Sequence, residues 1–82
     1  MVKEVIRTEN FLRQLKKIDK SVLGRVEKLA VKIIQNPEIG KSMRYDRKGT
    51  RERYLQSFRL NYACDKEEDI LYFLDIYHKD GQ

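Results

Sequence analysis

Between Lys41 and Tyr62, in KSMRYDRKGTRERYLQSFRLNY, the chain sets Lys41, Arg44, Arg47, Lys48, Arg51, Arg53 and Arg59 against only Asp46 and Glu52. Guanidinium and ammonium groups hold phosphate oxygens, and the planar arginine fork does so in fixed geometry. Tyr45, Tyr54, Phe58 and Tyr62 interleave with these cations, which is the composition of a surface that neutralises a phosphate backbone and stacks bases. Elsewhere eleven basic side chains balance eleven acidic ones, so the net charge of +5 is local to this stretch and an anionic partner is expected. The plain alternative is a solvated basic face whose strand aromatics point into the core. Proton transfer has one obvious candidate. His78 is the only histidine, and an unperturbed imidazole, with a pKa of roughly 6.5, gives or takes a proton near neutrality. A single histidine of this kind is otherwise an ordinary surface residue.

The totals bound what can carry these groups. Eighty-two residues form one domain, 1–82, of a size that buries only roughly 60% of its unfolded surface. With 40% hydrophobic and 38% charged residues and a single proline, the chain is globular rather than disordered. Cys64 is the lone cysteine; it allows no internal disulfide, and no cysteine-histidine spacing suits zinc, so no metal or cofactor is expected. The segment MVKEVIRT lacks the apolar run of a signal peptide, and nothing approaches the ~20 apolar residues of a membrane span. A cytoplasmic protein without a membrane partner is expected.

The hydrophobic periods then give the elements. Residues 2–7 read as a short strand, and Thr8 caps a helix whose apolar face is Phe11, Leu12, Leu15 and Ile18. Asp19 or Ser21 caps a second helix through Val22, Val26, Leu29, Ala30 and Ile33, which Asn36-Pro37 ends. Leu23 and Ile34 lie off that stripe, as core or as a protein-binding surface. Met43 to Asp46 is a candidate strand, Lys48-Gly49 a turn and Arg51 to Leu55 a strand. Ser57 to Cys64 alternates, with Phe58, Leu60, Tyr62 and Cys64 on one face and Arg59, Asn61 and Ala63 on the other. After a turn at Asp65 to Asp69, Ile70 to Tyr77 is apolar on both faces until Asp75 and is expected to be central. The fold class is α+β: an N-terminal strand, a two-helix hairpin, then a three- to four-stranded antiparallel sheet with the helices on one face. Arg59 would stand on the open face.

Several pieces in this order carry a resemblance. They are the hairpin ending in NPEIGKSMR, Lys48-Gly49 before a strand, Phe58-Arg59-Leu60-Asn61-Tyr62, and the terminal Ile76-Tyr77-His78-Lys79. Over essentially its whole length the chain resembles the RelE/ParE superfamily of type II toxin-antitoxin toxins, most closely the RelE-like mRNA interferases. The resemblance implies the RelE/ParE-like fold and a toxin held inactive by a RelB-like antitoxin. RelE-like members enter the ribosomal A site and cut messenger RNA without a metal: the ribose 2′-hydroxyl attacks the adjacent phosphate, leaving a cyclic phosphate and a free 5′-hydroxyl. ParE-like members share the fold and act on DNA gyrase without nuclease activity. A third reading is an RNA- or ribosome-binding module with weak catalysis.

Under the first implication Arg59, His78 and Lys79 form the catalytic set. Arg59 matches the family's functional arginine and would stabilise charge on the phosphate; otherwise it is a strand arginine paired with a carboxylate such as Asp75. Lys79 replaces an arginine, keeping the charge and losing the fork. His78 would act as acid or base. Arg44, Arg47, Lys48, Arg51 and Arg53 would bind the RNA backbone without reading sequence. Thr50 and Glu52 stand where RelE carries two lysines, with Arg51 and Arg53 beside them. A one-residue shift restores the match and reverses the faces, so the register stays open. Glu52 is either a base or a partner for neighbouring arginines. The tyrosine that follows His78 in many RelE-like toxins is absent. The antitoxin is expected to lay an amphipathic helix on an apolar surface and to offset the basic face with acidic residues.

Overall fold

A computed structural model describes residues 1–44 and 49–80 of the 82. In chain order these form β1 (Glu4–Arg7), α1 (Glu9–Leu15), α2 (Lys20–Gln35), a 3₁₀ turn (Pro37–Ile39), β2 (Lys41–Ser42), β3 (Arg51–Leu55), β4 (Phe58–Asp65) and β5 (Ile70–His78). The strands make one sheet in the order β1-β5-β4-β3-β2. β1 runs parallel to β5 and the other neighbours are antiparallel. The central place expected for the last strand is therefore observed, and the N-terminal strand joins four others in a five-stranded sheet. The strand expected over Met43 to Asp46 is instead the two-residue β2 at Lys41–Ser42; Tyr45 to Lys48, with the turn expected at Lys48, lie outside the described residues.

Helix capping follows the side chains the sequence supplies. The Thr8 hydroxyl accepts from Phe11 N–H at 3.2 Å, and the Asp19 carboxylate accepts from Ser21 N–H at 3.3 Å. Asn36 ends α2 and caps the 3₁₀ turn by accepting from Glu38 N–H. Both helices lie over one face of the sheet. Phe11, Ile18, Val26, Leu29 and Ile33 pack there on Leu60, Tyr62, Leu71, Phe73 and Ile76, all at most 9% exposed. The Phe11 and Phe73 rings stack at 5.4 Å. Leu23 and Ile34 are half-buried against this core.

A bulge in β5 decides which side chains reach the other face. Asn61 pairs with Asp75 while Tyr62 pairs with Phe73, so Leu74 is an extra residue in the ladder. Leu71 and Phe73 point to the helices before it, and Ile76 does so after it. Without the extra residue Ile76 would face outward and Tyr77 inward. Beside the bulge, on the β1 edge of β5, the carbonyls are taken up by the start of α1 and its cap. Thr8 N–H donates to Phe73 O at 3.1 Å, the Thr8 hydroxyl lies 3.0 Å from Phe73 O and 3.1 Å from Leu74 O, and Asn10 Nδ2 donates to Leu74 O at 3.2 Å.

The Pro37–Gly40 segment is tied down from below by Tyr62. Its hydroxyl donates to Pro37 O at 2.6 Å and accepts from Gly40 N–H at 2.9 Å. A Cβ at residue 40 would collide with that phenol, coming within 2.9 Å of Cε1, so the close approach requires glycine. Burial raises the Tyr62 pKa above 10.0, partly offset by the Gly40 hydrogen bond and by the charges of Arg51 and Arg53. Folding therefore favours the neutral phenol. Its contribution is complete below about pH 10 and is lost as pH rises through the folded-state value. Tyr62→Phe leaves Pro37 O and Gly40 N–H unpaired and is expected to cost about 1–3 kcal/mol at neutral pH. Urea unfolding between neutral pH and pH 11 checks this, with the gap between wild type and variant narrowing at the alkaline end.

Candidate active site

The face of the sheet away from the helices is built by alternation. Glu52 pairs across with Asn61 and then Asp75, and Tyr54 pairs with Arg59 and then Tyr77. All six side chains therefore share the open face. Beside them a hollow of about 790 Å³ is lined by Lys41, Arg44, Glu52, Tyr54 and Arg59, among others.

Within it Glu52 and Arg59 meet. Arg59 Nη1 lies 3.7 Å from Glu52 Oε1, and the Tyr77 hydroxyl donates to Glu52 Oε2 at 2.5 Å. The Glu52 side chain is 2% exposed and that of Arg59 33%. A carboxylate this buried is tolerated because it is paired and hydrogen-bonded. The Arg59 guanidinium also lies over the Tyr54 ring, 4.9 Å from its centre, a cation–π contact that fixes the fork. Arg59 thus pairs with Glu52 rather than with Asp75, whose Oδ1 is buried with no hydrogen-bond partner among the described residues. Chemically the arrangement offers a proton acceptor beside a cation that is one-third open to solvent. Both stand on rigid strands.

The structure separates the other basic residues. Arg44 is exposed and lines the hollow. Arg51 and Arg53 pair with Tyr62 and Leu60 and so point to the helix side. There Arg51 Nη1 donates to Gly40 O at 2.8 Å and Arg53 Nη1 to Ile39 O at 3.3 Å, closing the carbonyl end of the 3₁₀ turn. The register left open by the sequence is therefore the one that brings Glu52 to Arg59. Arg47 and Lys48 lie outside the described residues. His78 pairs with Phe58, sits edge-on to its ring at 5.4 Å, and by alternation lies on the face opposite Arg59. Its Nδ1 is 4.0 Å from Asp80 Oδ2. Lys79 is exposed, and its N–H donates to Ser57 O at 2.8 Å, which brings the C-terminal turn alongside the β3–β4 hairpin. Sequence reasoning overlooked Tyr77. It had read as one more apolar residue of β5, and only the bulge turns it towards Glu52.

Among the described residues no three histidine, cysteine or acidic side chains cluster as metal ligands, and no helix is long and apolar enough to cross a membrane. A second hollow, about 440 Å³ and largely apolar, lies between the helices and β1, lined by Phe11, Leu15, Leu23, Ala30, Val31 and Ile34 among others.

An N-terminal strand, a helical hairpin on one face and an antiparallel sheet whose other face is open make an α+β fold of the RelE/ParE-like class. Residues 5–82 match the family model of the ParE toxin of type II toxin-antitoxin systems, parDE, and the chain belongs to that family. Among solved structures it is similar to the toxin-antitoxin complex RelBE2 from Mycobacterium tuberculosis. That match has a TM-score of 0.85 at 26% identity and covers 95% of this chain and 99% of the other. The intact RelBE complex of E. coli matches with a TM-score of 0.78 at 18% identity, covering 90% and 93%. A YoeB/ParE toxin from Agrobacterium tumefaciens matches with a TM-score of 0.80 at 13% identity, covering 92% and 96%. No curated protein matches.

Proposed function

We propose that this chain is a ribosome-dependent messenger RNA endoribonuclease, the toxin of a toxin-antitoxin pair. One observation carries the reading: Glu52 and Arg59 stand together on the open face, at the edge of a basic hollow. In the reaction the RNA 2′-oxygen attacks the adjacent phosphorus while its proton passes to the Glu52 carboxylate. The bond from phosphorus to the 5′-oxygen breaks, and the leaving oxygen takes a proton from an acid. Arg59 holds the non-bridging oxygens as their charge grows. Arg44 and Lys41 steer the backbone into the hollow, aided by Arg47 and Lys48. Arg51 and Arg53 act indirectly, by fixing the turn before β2. His78 starts from the opposite face, at the last pair of the sheet, and would have to turn round that end to give the leaving group its proton, with Lys79 beside it holding phosphate as a point charge.

The similarity to complexes of toxin with antitoxin supports an antitoxin as partner. Its amphipathic helix would occupy the apolar hollow over Leu23, Val31 and Ile34, where Val31 is 52% exposed.

Primer extension on a defined messenger RNA in a purified translation system, with and without ribosomes, tests the reading. Cuts at A-site codons only when ribosomes are present are expected. His78→Ala is expected to slow them by about 10²-fold, the scale of positioned acid–base catalysis; an unchanged rate would assign the proton to another donor. A second reading, inhibition of DNA gyrase, is favoured by the ParE description of the family model. It predicts no cuts under either condition and a loss of supercoiling activity.

A further inference from the structure

Tyr54 steadies the Arg59 fork but touches no substrate in the chemistry just described, yet 57% of it is exposed, the largest exposure of any aromatic ring in the described sheet. A ring of that size left in water on a binding face has a use or a cost. Its surroundings point to the use. On one side Tyr54 borders the large basic hollow, where the Arg59 guanidinium lies over its ring at 4.9 Å. On its other side is a separate hollow of about 240 Å³, lined by Ile39, Lys41, Glu52, Arg53 and Tyr54. β2 extends only over Lys41–Ser42, so no strand pairs with β3 at Tyr54 on that side, and the 3₁₀ turn contributes Ile39 instead. The ring is thus a partition. One space is cationic and the other is floored by an aromatic and an aliphatic side chain.

We infer that Tyr54 is a stacking platform for the nucleobase next to the phosphate held by Arg59, with that base lodged in the hollow between Tyr54 and Ile39. The inference rests on the RNA reading above and extends it to the substrate. A phosphate and its base are separated by one sugar, and here a partition one ring thick separates the site for each. The base must be unstacked from its neighbours to enter, so the substrate is single-stranded at this position. Stacking tolerates every base but strengthens with ring area, so a purine is favoured there. Lys41 at the rim adds charge for the next phosphate along.

The test uses the full chain and a short single-stranded RNA bearing 2′-O-methyl sugars, which cannot be cut. Binding is measured at low salt with an abasic residue placed at each position in turn. Wild type is expected to show one position at which loss of the base weakens binding about tenfold. Tyr54→Ala loses that dependence and Tyr54→Phe, which keeps the ring, restores it. On ribosomes, Tyr54→Ala is expected to lose the preference for a purine beside the cut. An abasic penalty that persists in full in Tyr54→Ala overturns the inference, as does wild type that binds every abasic RNA like the parent. In both cases backbone binding and cleavage stand. If wild type neither binds nor cuts RNA and instead blocks supercoiling, the RNA reading fails and the stacking site with it.

Discussion

Arg59→Ala is expected to reduce the single-turnover rate of ribosome-dependent cleavage by about 10²–10³-fold, the usual consequence of removing one preorganised donor to a developing negative charge. The variant should still bind ribosomes, because Lys41 and Arg44 remain in place. Its fold should also survive: Arg59 is one-third exposed and Glu52 keeps the Tyr77 hydrogen bond. A stability loss of about 1–3 kcal/mol follows from removing the Arg59 guanidinium from beside a buried carboxylate. Arg59→Lys restores the charge without the fork and should fall between the two. Toxicity in cells, cleavage rate and urea midpoint together check the prediction. Equal toxicity of Arg59→Ala and wild type, with equal ribosome binding, would remove Arg59 from the mechanism.

Glu52→Gln is the sharper experiment, because the amide has the shape of the carboxylate but neither its charge nor its basicity. The amide oxygen can still accept from Tyr77, and a buried charge is gone, so stability should change little or rise. Cleavage should nevertheless fall by about 10²–10⁴-fold, the range for a positioned base. If Glu52 served only to brace Arg59, glutamine would keep most of the activity, since a neutral acceptor still orients the guanidinium. Single-turnover kinetics distinguish the two outcomes, and Glu52→Ala gives the structural control. That variant should lose stability because Tyr77 and Arg59 both lose a partner.

The helices were legible because their signals are local. Thr8, Asp19 and Asn36 cap through side chains within three residues, and the stripe Val26, Leu29, Ile33 repeats at the helical period. β4 was legible for a similar reason, since strict alternation separates Leu60 and Tyr62 from Arg59. The open face was less so. Whether Glu52 or its arginine neighbours reach Arg59 depends on a hairpin register set by the Gln56-Ser57 turn, where Gln56 adopts a φ of 54° that side chains seldom take. Nothing in RERYLQSFR announces that. The bulge was hidden for a related reason. Ile70 to Leu74 is apolar at every position, so the change of phase before Ile76 leaves no mark in the hydrophobic pattern. Tyr77 was missed with it. Composition marked the cations as a group but could not divide them: the hairpin register puts Arg51 and Arg53 on the face opposite Arg59, where their donors meet the carbonyls of Gly40 and Ile39.

The sheet order has a temporal meaning. β5 is the last of the described strands to be synthesised, and it lies between β1, the first of them, and β4. Until it emerges, β1 has no neighbour in the sheet, the capping groups of Thr8 and Asn10 lack the carbonyls they bind, and Glu52 lacks Tyr77. A nascent chain that lacks β5 therefore has the cations but not the assembled face.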